Sequence, residues 1–319
     1  MSGRRILAAL LCAALLLACL AACSAQRTPD DAQGDKLRVV AVIFPAYDWA
    51  REVLGAQADN VELTLLLDGG VDLHSYQPTA ADLLKLTTCD LLLYVGGESD
   101  DWVRDALREA ANPDLTAISL LDTIGDAAKT EETVEGMHAE AEDEPELDEH
   151  VWLSLRNARV CVDAIADALA ALDGEHADVY AANAAAYGEK LAALDAAYQA
   201  AVDGAAQRTL LFADRFPFRY LTDDYGLRYY AAFPGCSAET EASFETIAFL
   251  AEKVDELGLR AVLVIDGGDR RIAETVVRST KTRDQQILTL DSMQSAGADS
   301  APYLAVMESN LAVLRTALQ

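Results

Sequence analysis

Apolar residues recur along this chain in two alternating patterns from Leu37 onward. Short runs rich in Val, Ile and Leu are each followed by a segment whose apolar residues return every three or four positions. This alternation is typical of strand–helix units that build a mainly parallel sheet. Two series of such units occur, so the pattern predicts an α/β protein with two lobes, each a mainly parallel sheet with flanking helices. The strand-like runs are LRVVAVIF, VELTLLL, CDLLLYVGG and LTAISL in the first series and TLLFAD, LRYYAAF, RAVLVID and QILTL in the second.

Two helical patterns separate the series, over residues 154–172 and 175–203. The second carries one stripe of apolar and aromatic residues spaced by three, four or seven positions: Tyr180, Tyr187, Leu191, Leu194 and Tyr198. A helix of about 28 residues would be roughly 42 Å long. We expect it to join the lobes as a long rigid backbone that allows little hinge motion.

These patterns divide the folded part into an N-terminal lobe at 37–174, a linking helix at 175–204 and a C-terminal lobe at 205–319. The boundaries follow the change from strand–helix alternation to continuous helical period and back.

Residues 125–149 have neither a strand period nor a helix period. From Glu131 to Glu149 there are ten acidic residues and no basic one, which predicts a mobile surface loop. The loop either collects cations beside a metal site, with His138 as an occasional ligand, or is a solvated acidic insertion. Charge alone favours the second interpretation.

The first 23 residues have the layout of a secretory signal, with a basic start, an apolar stretch at 6–20 and the tetrad LAAC at 20–23. The tetrad resembles a bacterial lipobox, in which a signal peptidase cuts before a cysteine that carries the lipid. We expect Cys23 to be lipidated and residues 24–36 to be a flexible tether. Cys19 is a weaker candidate, and an ordinary cleaved signal is the alternative. The protein would then be anchored to the outer face of the cytoplasmic membrane of a bacterium.

The chain carries 53 acidic and 25 basic residues, a formal net charge of −28. This balance argues against nucleic acid as a partner and against basic-patch binding to anionic lipid, and it favours small or cationic partners. The expected folded part contains Cys89, Cys161 and Cys236, and an odd number does not make a disulfide framework. No apolar stretch reaches the roughly 18 residues of a bilayer span, so no transmembrane helix is expected.

Two of the four histidines lie where strands or loops end. His74, in DLHSYQPTAADL, precedes Thr79, whose hydroxyl forms a capping-box signature with Asp82. His150 lies where the acidic loop meets a helix start, in LDEHVWLSLRNA. Ligands of open α/β sheets bind at such loops, and imidazole is the commonest nitrogen ligand of zinc. Since a zinc site wants about four ligands, carboxylates or thiolates from elsewhere are needed. His176 is expected to be solvated.

With these motifs the chain resembles the zinc- and manganese-binding lipoproteins of metal ABC importers, solute-binding proteins with a rigid helical backbone. The resemblance covers nearly all of residues 37–319. It implies one metal ion between two α/β lobes, held by His74 and His150 from the first lobe. It also implies delivery of a divalent transition metal to an ABC permease, and we expect a monomer. The resemblance rests on six sequence segments: DLHSYQPTAADL, CDLLLYVGGESDDWV, DEHVWLSLRNA, YAANAAAYGEKLAALD, FRYLTDDYGL and AVLVIDGGDRRIAETV.

The second lobe departs from the family's pattern. Arg215 stands where members carry a histidine or glutamate, and a guanidinium has no lone pair to offer a metal. A local shift would present Asp214 instead, at the end of the preceding strand. The resemblance gives Asp266, in LVIDGG, as the last ligand. Cys236 and Glu239, in FPGCSAETE, are reserve candidates.

Several functions stay open beside zinc delivery. Mixed nitrogen and oxygen sites also suit manganese or iron, although an acidic loop directly before DEHVW is more typical of the zinc members. A lipid-anchored metallohydrolase is disfavoured because neither HExxH nor GxSxG occurs, and we expect no enzyme. A receptor for a metal chelate or a small anionic ligand would hold the anion with Arg215 and Arg219. An adhesin has only the expected surface location in its favour.

Overall fold

Two four-stranded sheets organise the chain in this computed structural model, which describes residues 36–137, 146–237 and 241–319. The first sheet comprises β1 (Leu37–Ala41), β2 (Val61–Leu65), β3 (Leu91–Tyr94) and β4 (Thr116–Ser119), and the second β5 (Thr209–Phe216), β6 (Arg228–Pro234), β7 (Ala261–Ile265) and β8 (Gln286–Leu290). The strand orders are β2-β1-β3-β4 and β6-β5-β7-β8. All neighbouring strands run parallel. The predicted α/β class with two lobes is confirmed.

Helices alternate with the strands. They are α1 (Phe44–Leu54), α2 (Ala80–Thr88), α3 (Asp101–Arg108), α4 (Leu120–Ile124), α5 (Leu155–Leu172), α6 (Ala177–Asp203), α7 (Arg219–Tyr225), α8 (Phe244–Leu257), α9 (Arg271–Ser279) and α10 (Tyr303–Ala317). The predicted capping box starts α2: the Thr79 hydroxyl accepts from the Asp82 N–H at 3.2 Å, and the Asp82 carboxylate accepts from the Thr79 N–H at 3.0 Å. Two donors at the helix start are thereby satisfied.

Helix α6 is the predicted backbone helix. Its 27 residues make it about 40 Å long. It packs on α5, on α1 of the first lobe and on α10 of the second. Asn183 donates to the Val53 carbonyl of α1 at 2.9 Å, and the Tyr198 hydroxyl donates to the Met307 carbonyl of α10 at 2.6 Å. The predicted stripe is buried along its whole length: Tyr180, Tyr187, Leu191, Leu194 and Tyr198.

The lobes also share apolar packing and direct hydrogen bonds. Trp49 of the first lobe meets Tyr303 of the second edge-on, with ring centroids 5.2 Å apart. The Trp152 indole donates to the Ser292 carbonyl at 2.8 Å, and the Tyr303 hydroxyl donates to the Trp152 carbonyl at 2.6 Å. Residues 37–319 accordingly form one compact unit. The expected lobe boundaries at 174/175 and 204/205 stay a prediction.

Several predicted features lie outside the described residues: Cys23 with its signal, nearly all of the tether, His138 and Glu239. Within the part of the chain that the structure describes, no helix combines the length and apolar composition needed to cross a membrane.

Candidate metal centre

His74 and His150 are held by the same backbone device at two separate places in the first lobe. Each histidine donates its backbone N–H to the carboxylate of the aspartate two residues earlier. His74 donates to Asp72 at 3.0 Å, and His150 donates to Asp148 at 2.9 Å. His74 lies in the single helical turn that follows β2, and His150 directly precedes the turn that leads into α5. Short polar side chains that bind the backbone two residues on fix such turns. The sequence therefore sets the position of both imidazoles locally.

The two imidazoles meet a thiol from the second lobe. Within residues 36–137, 146–237 and 241–319, one group of at least three His, Cys, Asp or Glu residues could hold a metal ion, and it consists of His74, His150 and Cys236. Their donor atoms all lie within 4.8 Å of one another. The Nε2 atoms of His74 and His150 are 3.1 Å apart. His150 is fully buried, and the His74 side chain is only 6% exposed.

The opposite ring nitrogens face oxygen atoms. Nδ1 of His150 lies 3.0 Å from the Asp148 carboxylate. Nδ1 of His74 lies 2.9 Å from the Ser99 hydroxyl and 3.5 Å from the Glu149 carboxylate. An ionised carboxylate only accepts hydrogen bonds, so Nδ1 of His150 carries its proton and Nε2 keeps a free lone pair. Partners of this kind orient metal-binding histidines and raise their basicity.

Burial lowers the pKa of His74 and so favours its neutral form. Removal from water, with smaller contributions from the facing His150 ring and the Arg215 guanidinium, lowers the pKa of His74 to about 3 against the opposing effect of Asp72. The ring is therefore neutral at physiological pH, and a neutral imidazole is the form that binds metals.

Cys236 approaches the histidines because the residue before it is a glycine. A Cβ at Gly235 would lie 2.8 Å from the Phe216 carbonyl oxygen and 3.1 Å from Cε1 of His150. The N–H of Cys236 donates to the Glu131 carboxylate at 2.8 Å, which anchors the backbone. Burial raises the pKa of the Cys236 thiol well above its usual range, and the carboxylates of Glu131 and Asp148 add to the effect.

The two described ends of the acidic loop, up to residue 137 and from residue 146, make defined contacts. Thr130 bridges to Leu147, and the Glu131 N–H donates to the Glu146 carbonyl at 2.8 Å. The Glu132 carboxylate pairs with Arg219 of the second lobe. The described ends of the loop are therefore tied together and to the second lobe, a long-range contact that the sequence pattern does not reveal.

The Arg215 side chain takes part in contacts other than those with the histidine pair. Its guanidinium pairs with Asp72 at 2.7 Å and donates to the Ser237 carbonyl at 3.4 Å. The arginine thus links the turn that carries His74 to the second lobe.

Asp214 and Asp266 do not join the cluster of His74, His150 and Cys236. The Asp214 carboxylate accepts the N–H of Arg215 at 2.9 Å and that of Ile265 at 3.2 Å. One oxygen of Asp266 accepts the N–H and the hydroxyl of Ser292, at 2.7 and 3.0 Å. Both oxygens of Asp214 and one oxygen of Asp266 accept hydrogen bonds within the second lobe, and the assignment of these two residues as ligands stays a prediction.

Sequence reasoning missed Gln294, which follows β8 in LDSMQ. Its side-chain amide nitrogen lies 2.9 Å from Nε2 of His150, and the residue is 4% exposed. The position after a strand was the available signal, because ligands of parallel sheets gather beyond strand ends. A glutamine in a sequence does not by itself indicate a metal site, because its amide is uncharged.

Known proteins resemble the chain over nearly its whole folded length. A family model described as zinc-uptake complex component A, periplasmic, matches residues 39–317. The zinc-binding lipoprotein AdcA of Streptococcus pneumoniae serotype 4 is 30% identical over 311 residues, which are 96% of this chain and 60% of that protein. The chain thus spans less than two thirds of that relative's length. The high-affinity zinc uptake system protein ZnuA of Bacillus subtilis is 26% identical, covering 99% of this chain and 97% of that protein.

A solved structure agrees with these relatives. The Zn(II)-bound ZnuA-like domain of Streptococcus pneumoniae AdcA superposes with a TM-score of 0.70 at 28% identity, over 89% of this chain and 99% of that domain. The resemblance inferred from the motifs is thereby confirmed. Since the family model spans 39–317, both lobes and the linking helix included, the chain belongs to the periplasmic zinc-uptake complex component A family, ZnuA.

Proposed function

We propose that this chain captures a divalent transition-metal ion, zinc, outside the cytoplasm and delivers it to the permease of an ABC importer. The observation that carries the proposal is the pair of Nε2 atoms of His74 and His150, 3.1 Å apart between the lobes. Two lone pairs at this distance repel each other unless a proton or a cation lies between them. A metal ion satisfies both at once.

Several features support zinc as the cargo. Zinc accepts imidazole nitrogen readily, whereas manganese prefers carboxylate and water oxygens. The relatives AdcA and ZnuA carry zinc in their names. The carboxylates of Asp148 and Glu149 beside the imidazoles add negative charge that favours a dication. Manganese is the alternative cargo.

The location and anchor rest on separate support. The family is described as periplasmic, and AdcA is named a lipoprotein. Together with the LAAC tetrad, these names support lipidation at Cys23 and attachment to the outer face of the cytoplasmic membrane. We infer that the mature protein acts as a monomer and binds its ion without catalysing a reaction.

The two arginines argue against a receptor for a chelate or an organic anion. Arg215 is paired with Asp72, and Arg219 with Glu132 and, at 3.2 Å, with Asp223. An anionic ligand would have to displace a carboxylate from each guanidinium, at the cost of a pair already formed in a partly buried place.

Equilibrium dialysis tests the proposal. The soluble part from Asp35 onward is dialysed against equal amounts of zinc, manganese, iron and nickel, and bound metal is measured by elemental analysis. We expect one zinc per chain in the wild type and in His176→Ala, whose imidazole pairs with Asp173 away from the site. Retention of manganese or iron in preference to zinc would reassign the cargo. No retained metal in the wild type would refute the proposal.

A further inference from the structure

Cys236 is the group of the second lobe that is best placed to complete the metal site. Its sulfur lies within 4.8 Å of the donor atoms of His74 and His150. Its backbone is fixed from both sides, by the Glu131 carboxylate on its N–H and by the close approach of Gly235 to the His150 ring. The other cysteines of the described chain, Cys89 and Cys161, are buried in the core of the first lobe.

The distances suit a tetrahedral ion after small movements. Zinc binds imidazole nitrogen at about 2.0–2.1 Å and thiolate sulfur at about 2.3 Å, so neighbouring donors lie about 3.3–3.6 Å apart. The two Nε2 atoms are 3.1 Å apart, and no distance in the trio exceeds 4.8 Å. Contraction by up to about 1.2 Å brings the sulfur to the spacing of neighbouring ligands, and a χ1 rotation of Cys236 moves the sulfur while the backbone stays anchored.

Gln294 offers a fourth donor. Its amide nitrogen lies 2.9 Å from Nε2 of His150, while its amide oxygen is buried and finds no hydrogen-bond partner among the described residues. An orphaned buried acceptor is costly. Turning the terminal amide by half a turn exchanges the two atoms and places the oxygen about 2.9 Å from Nε2 of His150, a few tenths of an ångström closer than neighbouring zinc ligands lie. A cation there would satisfy that oxygen.

We propose that the metal ion is held by Nε2 of His74, Nε2 of His150, the thiolate of Cys236 and the amide oxygen of Gln294. The inference rests on the proposed function and names the donors of the same site. As the sulfur–metal bond forms, the thiol proton leaves to solvent, and the sulfur supplies one negative charge to the dication. Each lobe then contributes two donors, and Arg215 is not needed.

The thiolate makes the site selective. A soft sulfur donor favours zinc over manganese, which prefers oxygen. Loss of an outer-sphere partner already costs 10–100-fold in metal affinity, so Cys236→Ser should weaken zinc binding by about 100-fold or more. Manganese affinity should change by less than about threefold, because manganese gains little from sulfur.

Cobalt(II) absorption tests the donor set, since a thiolate ligand gives an intense near-ultraviolet charge-transfer band that nitrogen and oxygen ligands do not give. We expect the band in the wild type, in Gln294→Leu and in the control Cys161→Ala, and its loss in Cys236→Ser. The ¹¹³Cd resonance of the unmutated protein checks the same point without relying on a variant that folds, and it should fall in the range of sulfur-containing sites. Gln294→Leu should also bind zinc more weakly than wild type.

The outcomes separate the inference from the function on which it rests. One cobalt bound per wild-type chain without the band, or Cys236→Ser with wild-type spectrum and zinc affinity, overturns the thiolate while leaving zinc capture intact. Wild-type zinc affinity in Gln294→Leu overturns the amide ligand. A wild-type protein that binds neither cobalt nor zinc overturns the proposed function together with this inference.

Discussion

The two lobes use their carboxylates in opposite ways where they face each other. In the first lobe, Asp148 and Glu149 lie behind the imidazoles and orient them toward the centre. In the second lobe, Asp214 and Asp266 come at strand ends, yet their oxygens accept N–H groups from Ile265 and Ser292. A position at a strand end therefore does not by itself leave a carboxylate free for a metal, since both oxygens of Asp214 and one oxygen of Asp266 already accept hydrogen bonds.

The largest effect is expected at the carboxylate behind His150. Asp148→Asn removes the charge that holds the Nδ1 proton, and loss of such a partner typically costs 10–100-fold in metal affinity. Competition with a chromogenic chelator measures the zinc dissociation constant. The exposed Asp163→Asn on α5 removes the same charge elsewhere and should leave affinity unchanged. Equal effects of the two substitutions would show that only overall charge matters.

The depressed pKa of His74 predicts a pH dependence of the metal-free fold. Below 6.5 the unfolded chain takes up a proton at this residue, while the folded protein, with a pKa of about 3, does not. The stabilisation is therefore complete above 6.5 and is lost as the pH falls from there to about 3. Between about pH 7 and about pH 5 the loss from this group is about 2 kcal/mol.

Other groups titrate in the same window, among them buried Asp100, whose pKa is raised to about 7 mainly by burial. The measurement is therefore the difference between wild type and His74→Gln in urea unfolding at both pH values. His74→Gln should lose about 2 kcal/mol less than wild type over this interval. Identical pH dependence in the two proteins would contradict the account of His74.

The ion pair between Arg215 and Asp72 joins the second lobe to the turn that carries His74. Both side chains are only about one-fifth exposed, so Arg215→Ala leaves the Asp72 carboxylate without its partner and should lower the free energy of unfolding by about 1–2 kcal/mol. Zinc affinity should rise, because a positive charge leaves the neighbourhood of the ion. Arg104→Ala breaks the more exposed pair with Asp101 and serves as the control. A fall in zinc affinity in Arg215→Ala would mean that the arginine positions the site.

The smallest effect is expected at Asp266. Asp266→Asn keeps the oxygen that accepts from the N–H and hydroxyl of Ser292, so zinc affinity should stay within about threefold, or 0.7 kcal/mol. A loss of 100-fold or more in calorimetry would show that Asp266 is a ligand after all, and that the second lobe rearranges when the metal binds.

Much of the fold can be predicted from local signals. The capping box of Thr79 and Asp82 marks the start of α2, and the tyrosine and leucine stripe marks the buried face of α6. Both depend on residues within a few turns of one another, which is why periodicity and capping reveal them. The positions of His74 and His150 are equally local, since each follows its own aspartate by two residues.

The second lobe's share of the site cannot be predicted in this way. Cys236 meets His150 only because a glycine lets two lobes approach, and Gln294 reaches the same ring from 144 positions away. The Asp266 carboxylate, after β7, accepts a hydrogen bond from Ser292, which follows the neighbouring strand β8. The order of strands in the sheet sets this pairing, and spacing along the sequence does not reveal it. Ligand identity there depends on tertiary contacts.

Calorimetric titration of zinc into the double variant His74→Ala, His150→Ala shows whether the two imidazoles, 3.1 Å apart, are the core of one metal site. We expect the wild type and His176→Ala to bind one zinc per chain. The double variant should show no stoichiometric binding although its circular dichroism spectrum is unchanged. Wild-type zinc affinity in the double variant would show that the metal binds elsewhere.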